Sequence, residues 1–182
     1  MDGNGRWAEK RSLGRIQGHR KGVKAARDIV QSCSGLGIEY LTLYAFSQEN
    51  WDRPPTEVRA LMELLKRHLK SELKMMMENN IRFRAIGNIQ ALPKSVQKVI
   101  SEVEQETCSN NGMALILALS YSGRAEIIEA AKKLAEDLAD KRIALNDVNE
   151  DVFSKYLYTG NTPDPDLLIR TSGEMRISNF LL

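Results

Sequence analysis

The chain has 182 residues, enough for one domain with a substantial core. Hydrophobic residues make up 42% and charged residues 27%, and a formal charge of +2 is too small to argue by itself for a nucleic-acid partner. No apolar run is long enough to cross a bilayer as a helix, and the polar, glycine-rich opening Met1-Asp2-Gly3-Asn4-Gly5-Arg6 does not read as a secretory signal.

Taken in chain order, apolar periodicity predicts a helix from Gly22 to about Ser34, with Val23, Ala26, Ile29, Val30 and Cys33 on one face. Ile38 to Phe46, rich in β-branched and aromatic residues, predicts a strand. Pro54-Pro55 opens a long helix with Val58, Leu61, Met62, Leu65, Leu69, Leu73, Met76 and Met77 on its apolar face, and Asn79-Asn80 closes it. Ile81 to Ile86 reads as a second strand ending at Gly87-Asn88. A helix follows from Pro93 through Val96, Val99, Ile100 and Val103, stopped by Asn110-Asn111-Gly112. Met113 to Leu119 is almost unbroken apolar sequence, as expected of a strand buried on both faces. Ala125 to about Ala139 is helical in pattern, a shorter helix is expected around Asp151 to Leu157, and Leu167-Leu168-Ile169 reads as a last strand before Arg170. Cys33 and Cys108 sit in helical patterns without metal-ligand spacing and are expected to be small core residues in a reducing cytosol.

Alternating helices and apolar strands, without repeats or linkers, predict an α/β fold: a single domain with a mostly parallel central sheet covered by helices on both faces. Ligands of such sheets gather past the carboxyl ends of the strands. The segments expected there are Ser47-Gln48-Glu49-Asn50-Trp51, Gly87-Asn88, Tyr121-Ser122-Gly123-Arg124 and Arg170-Thr171-Ser172-Gly173-Glu174, all polar, and most carrying glycine or arginine.

Four groups of residues could carry chemistry. Asp2-Gly3-Asn4-Gly5-Arg6-Trp7 joins a carboxylate, a pliant backbone and a guanidinium: the N–H groups and Arg6 could close on phosphate oxygens, and Asp2 could hold Mg²⁺. A Gly-Asn-Gly run taken alone is more often only a turn. Arg15, Gly18, His19, Arg20 and Lys21 precede the predicted helix, where cations oppose the helix dipole unless an anion binds there; a solvated basic loop is an equal reading. Ser47, Gln48, Glu49, Asn50, Trp51 and Arg53 offer a hydroxyl, amides, a carboxylate and a guanidinium for a polar head group, although packing is the commoner role of a lone Trp. Arg170, Arg176 and Ser178 could grip a diphosphate, with Glu174 holding an arginine between them; a surface ion-pair cluster competes with that reading.

Familiar nucleotide-binding and hydrolase signatures are missing: no G-x-x-x-x-G-K-[ST], no G-x-G-x-x-G after a strand, no G-x-S-x-G, and no D-D-x-x-D acidic cluster. His19 and His68 are the only histidines.

Together the blocks MDGNGRWA (Met1 to Ala8), Gly18-His19, LTLYAFSQENWDRP (Leu41 to Pro54) and IRTSGEMRISNFLL (Ile169 to Leu182) resemble the cis-prenyltransferase family, especially its bacterial undecaprenyl diphosphate synthases. They stand in the family's order and spacing, and the likeness covers the whole chain. The resemblance implies a Mg²⁺-dependent transferase that condenses isopentenyl diphosphate with an allylic prenyl diphosphate, farnesyl diphosphate by expectation, to form cis double bonds and a long polyprenyl carrier precursor for the cell wall. It implies Asp2 as metal ligand and catalytic residue. Gly3, Asn4, Gly5, Arg6, Trp7, Arg15 and His19 fall around the allylic diphosphate. Ser47, Gln48, Glu49, Trp51 and Arg53 order the reacting region, and Asn50 is a catalytic residue that we read as orienting, since a neutral amide is a poor base. Arg170, Arg176, Ile177 and Ser178 belong to the isopentenyl diphosphate site.

The likeness further implies an apolar tunnel between the sheet and the helices near residues 23–34 and 55–78, with Met75-Met76-Met77 as a pliable wall or as plain core. A cytoplasmic homodimer with a peripheral membrane contact for product release, and no nucleic acid, is expected. So are a β-branched strand before Met1 and, beyond Leu182, a segment with a further metal-binding glutamate, because the family continues at both ends. The competing expectations are a non-catalytic family subunit and an anion- or RNA-binding α/β module; low aromatic content (6%) weighs against the latter.

Overall fold

The computed structural model describes residues 3–160 and 162–182. Three strands, β1 (Tyr40–Ser47), β2 (Arg82–Ile86) and β3 (Ala114–Tyr121), form a parallel sheet in the order β1-β3-β2. The helices are α1 (Asn4–Glu9), α2 (Arg15–Gly35), α3 (Pro55–Glu78), α4 (Lys94–Glu106), α5 (Gly123–Ala139) and α6 (Glu150–Ser154).

β3 lies in the middle, and all eight of its residues are buried. That is why its sequence is continuously apolar rather than alternating: each face meets its own layer. Leu115, Leu117 and Leu119 point into the larger core with Val30, Met62, Leu69, Val96, Val99 and Val103 from α2, α3 and α4. Ile116, Ala118 and Tyr121 meet Ile86, Tyr44, Tyr158 and Phe180 on the other face. There the buried Glu126 at the start of α5 accepts hydrogen bonds from the Tyr121 hydroxyl and, at 2.7 Å, from the Tyr158 N–H. Fully burying one such aliphatic side chain is worth about 1.5–3 kcal/mol, so β3 is the stable axis of the fold.

Three of the four expected strands and the long helices are present, and five expectations are corrected. The helix expected from Gly22 begins at Arg15, so Gly18 and Gly22 lie inside it. They are there for contact: a Cβ on Gly18 would fall 1.9 Å from the Asn4 carbonyl oxygen, and one on Gly22 2.3 Å from Asn4 Nδ2. Two glycines one turn apart let α1 lie directly on α2. The Gly-rich opening is correspondingly a helix start rather than a free loop, with Gly3 at φ 78° as its N-cap.

Leu167-Leu168-Ile169 is not a strand, and its side chains are 74%, 50% and 76% exposed. Three apolar residues just after Pro163 and Pro165 find no pairing partner among the described residues, and a strand without a partner does not form. Cys33 packs at the edge of the core, but Cys108 is exposed because it follows the end of α4 at Glu106. Met75 and Met76 are buried, whereas Met77 turns outward at 43% exposure.

Candidate active site

The motif-bearing segments converge at one rim of the molecule. Gly3 approaches Ser172 so closely that a Cβ would fall 1.8 Å from Ser172 Oγ, which brings the 170–178 segment against the start of α1. Asn179 Nδ2 donates to Glu49 Oε1 at 3.0 Å, joining the same C-terminal segment to the turn after β1. Phe180 stacks on Tyr44 at 4.5 Å, so its burial anchors that segment on the sheet.

Glu57, in the first turn of α3, gathers the basic residues of the other half. Arg53 donates to it at 2.9 Å and Arg15 at 3.4 Å, and His19 Nε2 lies 3.7 Å away, too long for a hydrogen bond. Arg15 also donates to Glu9 at 2.8 Å. Burial works to raise the Glu57 carboxyl, but the hydrogen bond and charge of Arg53, with the charges of Arg15 and His19, outweigh it and hold the pKa below the usual carboxylate range. Burial, aided by the Arg53 charge, pushes the His19 imidazole down from its usual value. His19 Nε2 is buried without a hydrogen-bond partner in the structure.

Around the turn Gln48–Asp52, Asn50 Oδ1 accepts from the Ser47 N–H at 3.2 Å, closing a capping box. Trp51 donates from Nε1 to Ser120 Oγ at 2.9 Å and meets the Phe46 ring edge-on at 5.1 Å, so it packs the turn onto the sheet. Burial tends to raise the Glu49 carboxyl, yet hydrogen bonds from its own N–H, Asn179 and Ser47 bring it below the usual range. Burial and the nearby Glu49 charge push the Tyr44 hydroxyl up to about 12.

In the last segment Arg170 donates to the Arg176 carbonyl and, at 2.9 Å, to Ser178 Oγ. Glu174 pairs with both Arg176 and Arg6, the latter at 2.8 Å. Trp7 carries Arg11 over its ring at 4.4 Å. Gln48 and Ile177 are exposed, the latter by 49%. Asp2 lies outside the described residues. Among those described, no group of three His, Cys, Asp or Glu side chains could hold a metal ion.

Behind the rim a cavity of about 160 Å³ runs between α2, α3 and the sheet. Asn4, His19, Asn50 and Arg53 stand at its mouth, and Val23, Val30, Leu65, Leu69 and Leu117 line its depth. Glu57 was not singled out from the sequence, although an acid four residues after Arg53 at a helix start is a visible signal. Ser172 and Asn179 lie within segments expected at the rim or in the family-like block, but neither was singled out for a role.

The sequence model of a family described as "Putative undecaprenyl diphosphate synthase" matches residues 1–182. The isoprenyl transferase of Geobacter sulfurreducens is 57% identical over all of this chain and 74% of that protein. A Micrococcus luteus protein named ditrans,polycis-undecaprenyl-diphosphate synthase ((2E,6E)-farnesyl-diphosphate specific) is 47% identical over all of this chain and 73% of its own length. The crystal structure of lavandulyl diphosphate synthase from Lavandula x intermedia in complex with dimethylallyl diphosphate superposes with a TM-score of 0.97 at 39% identity, covering 100% of this chain and 79% of that one. The chain belongs to the undecaprenyl diphosphate synthase family of cis-prenyltransferases. These relatives disfavour both the non-catalytic and the RNA-binding alternatives.

Proposed function

We propose that this site joins an allylic prenyl diphosphate, farnesyl diphosphate in the first instance, to isopentenyl diphosphate, and repeats the step to build a long cis-polyprenyl diphosphate of the undecaprenyl type. The observation that carries this reading is the arrangement of the rim: two arginine groups are each tied to a carboxylate there, and Arg53 of one of them lines an apolar cavity behind it. Two anionic heads and one apolar tail fit that division.

In this reading the backbone of Gly3, Asn4 and Gly5, with Arg6, Trp7, Arg15 and His19, takes the allylic diphosphate, and its tail enters the cavity. Arg170, Arg176, Ile177 and Ser178 take the isopentenyl diphosphate. Ser47, Gln48, Glu49, Asn50, Trp51 and Arg53 hold the reacting region between them. The allylic C–O bond breaks and its electron pair leaves with diphosphate. The isopentenyl double bond supplies the pair that forms the new C–C bond, and loss of one proton creates the cis double bond. The arginines act by stabilising charge on the departing diphosphate. Asn50 orients rather than accepts the proton, since its Oδ1 is already used by Ser47, and a diphosphate oxygen is the better acceptor.

In this reading the carboxylate of Asp2 and the substrates' own phosphate oxygens would hold Mg²⁺, which would supply further charge neutralisation at the leaving group. The reading extends to a cytoplasmic homodimer that meets a membrane peripherally when it releases product. The test is to incubate the full-length protein with farnesyl diphosphate, labelled isopentenyl diphosphate and Mg²⁺, and to size the products. A ladder of prenyl chains is expected, and Asp2→Ala should lower turnover on the order of a thousandfold without unfolding the protein. Near-normal turnover in that variant would remove Asp2 from the mechanism.

A further inference from the structure

Ser120, the next-to-last residue of β3, is 4% exposed and takes no part in the function proposed above. Its backbone is left-handed, with φ 48°, and among the described residues no other non-glycine with positive φ lies inside a strand. Serine has no special tolerance for that region, so its surroundings hold it there against strain. The pairing of β1 with β3 slips at the same place. Phe46 faces Leu119 and Ser47 faces Tyr121, which leaves Ser120 without a partner residue on β1. A bulge of this kind takes a side chain out of the strand's alternation and aims it elsewhere.

Here the aim is at the turn after β1. Ser120 Oγ accepts from Trp51 Nε1 at 2.9 Å, and the Ser120 carbonyl accepts from the Asn88 N–H, in the turn after β2, at 3.2 Å. Gly87 lies against the same end of β3, where a Cβ would fall 2.2 Å from the Leu119 carbonyl oxygen. One strained residue thus fastens two rim turns to the central, fully buried strand. Trp51 stands between Asn50 and Arg53, and both of those line the cavity behind the rim. Packing alone would be served by an apolar residue in ordinary strand conformation, as in the rest of β3. A strained backbone and a buried hydroxyl spent on one indole point instead to what that indole carries.

We propose that Ser120 is a positioning residue for the prenyl transfer: through Trp51 it fixes the turn that holds the reacting region. The proposal rests on the prenyltransferase reading above, and its tests use the full-length protein. Ser120→Gly removes the hydroxyl, while glycine adopts φ 48° freely, so the variant should fold. With farnesyl diphosphate and isopentenyl diphosphate its kcat should fall roughly 2- to 12-fold, the worth of one net hydrogen bond, with both KM values near wild type. The Trp51 indole N–H resonance, assigned by its absence from Trp51→Phe, should move upfield as its acceptor is lost. In a Trp51→Phe background Ser120→Gly should lower kcat no further, because the bond it removes is already gone. Ser120→Ala removes the same hydroxyl and keeps the strained backbone. It should match the kcat of Ser120→Gly, and it carries the test if the glycine variant does not fold. Wild-type kcat in either variant, an unmoved indole resonance, or an equal fall in the Trp51→Phe background overturns the proposal and leaves the prenyltransferase reading standing. A wild-type protein that extends no allylic diphosphate overturns both.

Discussion

Glu57 stands in the first turn of a 24-residue helix, its side chain 11% exposed, and holds Arg15 and Arg53 from two different elements. Glu174 is nearly as buried, at 15%, and also holds two arginines, but it sits in a segment without helix or strand whose neighbours Ser172 and Gly173 have positive φ. One carboxylate is fixed by a scaffold and the other by the loop it helps to shape. The difference separates two ways of preparing cations for an anionic substrate. The Glu57 group is preorganised by α2 and α3, so under the proposed function its arginines would lose little freedom on taking a diphosphate. The Glu174 group, whose carboxylate and Arg176 both lie in a segment without helix or strand, has ordering left to do.

The sharpest way to break this comparison is to remove the charge at each centre and see which substrate suffers. Glu57→Gln leaves Arg15 and Arg53 without their shared carboxylate. Loss of one charged hydrogen-bond partner costs about 1.5–3 kcal/mol, so kcat/KM for the allylic diphosphate should fall roughly 10- to 150-fold. The KM for isopentenyl diphosphate should stay near wild type, and Glu57→Asp should recover part of the loss. Equal damage to both substrates would show that Glu57 serves folding rather than positioning.

Glu174→Gln should do less, because its arginine partners are exposed and the loop can rearrange. A rise of about tenfold or less in the isopentenyl KM is expected, with the allylic kcat/KM changed less than in Glu57→Gln. Steady-state kinetics with each substrate varied in turn will check this. If Glu174→Gln proves the more damaging variant, the 170–178 segment is as firmly built as the helical side, and the contrast fails.

The same contrast explains what the sequence could disclose. β3 was legible because burial on both faces leaves an unbroken apolar run, and α3 because Pro55 and a long apolar stripe mark it. Gly18 and Gly22 misled, because a glycine chosen for close helix contact has the same letter as one chosen to end a helix. The run 167–169 misled for a different reason: strand propensity lies in the residues, but a strand exists only with a partner. At the rim, residue types suited to diphosphates could be read, but not that Glu57 would collect Arg15, His19 and Arg53, which lie 42, 38 and 4 residues from it. Such a group is set by how α2 crosses α3, and local pattern carries no information about that crossing.

The smallest expected effect concerns pH, and it isolates the helical side of the rim. Glu57 titrates below its ordinary 4.5 in the folded protein, so the unfolded chain binds more protons in the interval between the two values. Its contribution to stability is therefore complete above the ordinary carboxylate range and is lost as pH falls through the folded value. His19 is also lowered, from 6.5, with the same sign but a higher window: protonation favours the unfolded chain once pH drops below the free imidazole value. Urea unfolding between about pH 2.5 and 7.5 should thus show stability declining in two stages on acidification. His19→Gln should flatten the upper stage and leave the lower, while Glu57→Gln should flatten the lower. Glu57→Gln should also shift the upper stage, because a positive imidazole beside Arg15 and Arg53 would then have no carboxylate to offset it. If neither variant alters the shape of the wild-type curve, the helical carboxylate is no more coupled to its neighbours than a surface group, and the distinction drawn between the two centres does not stand.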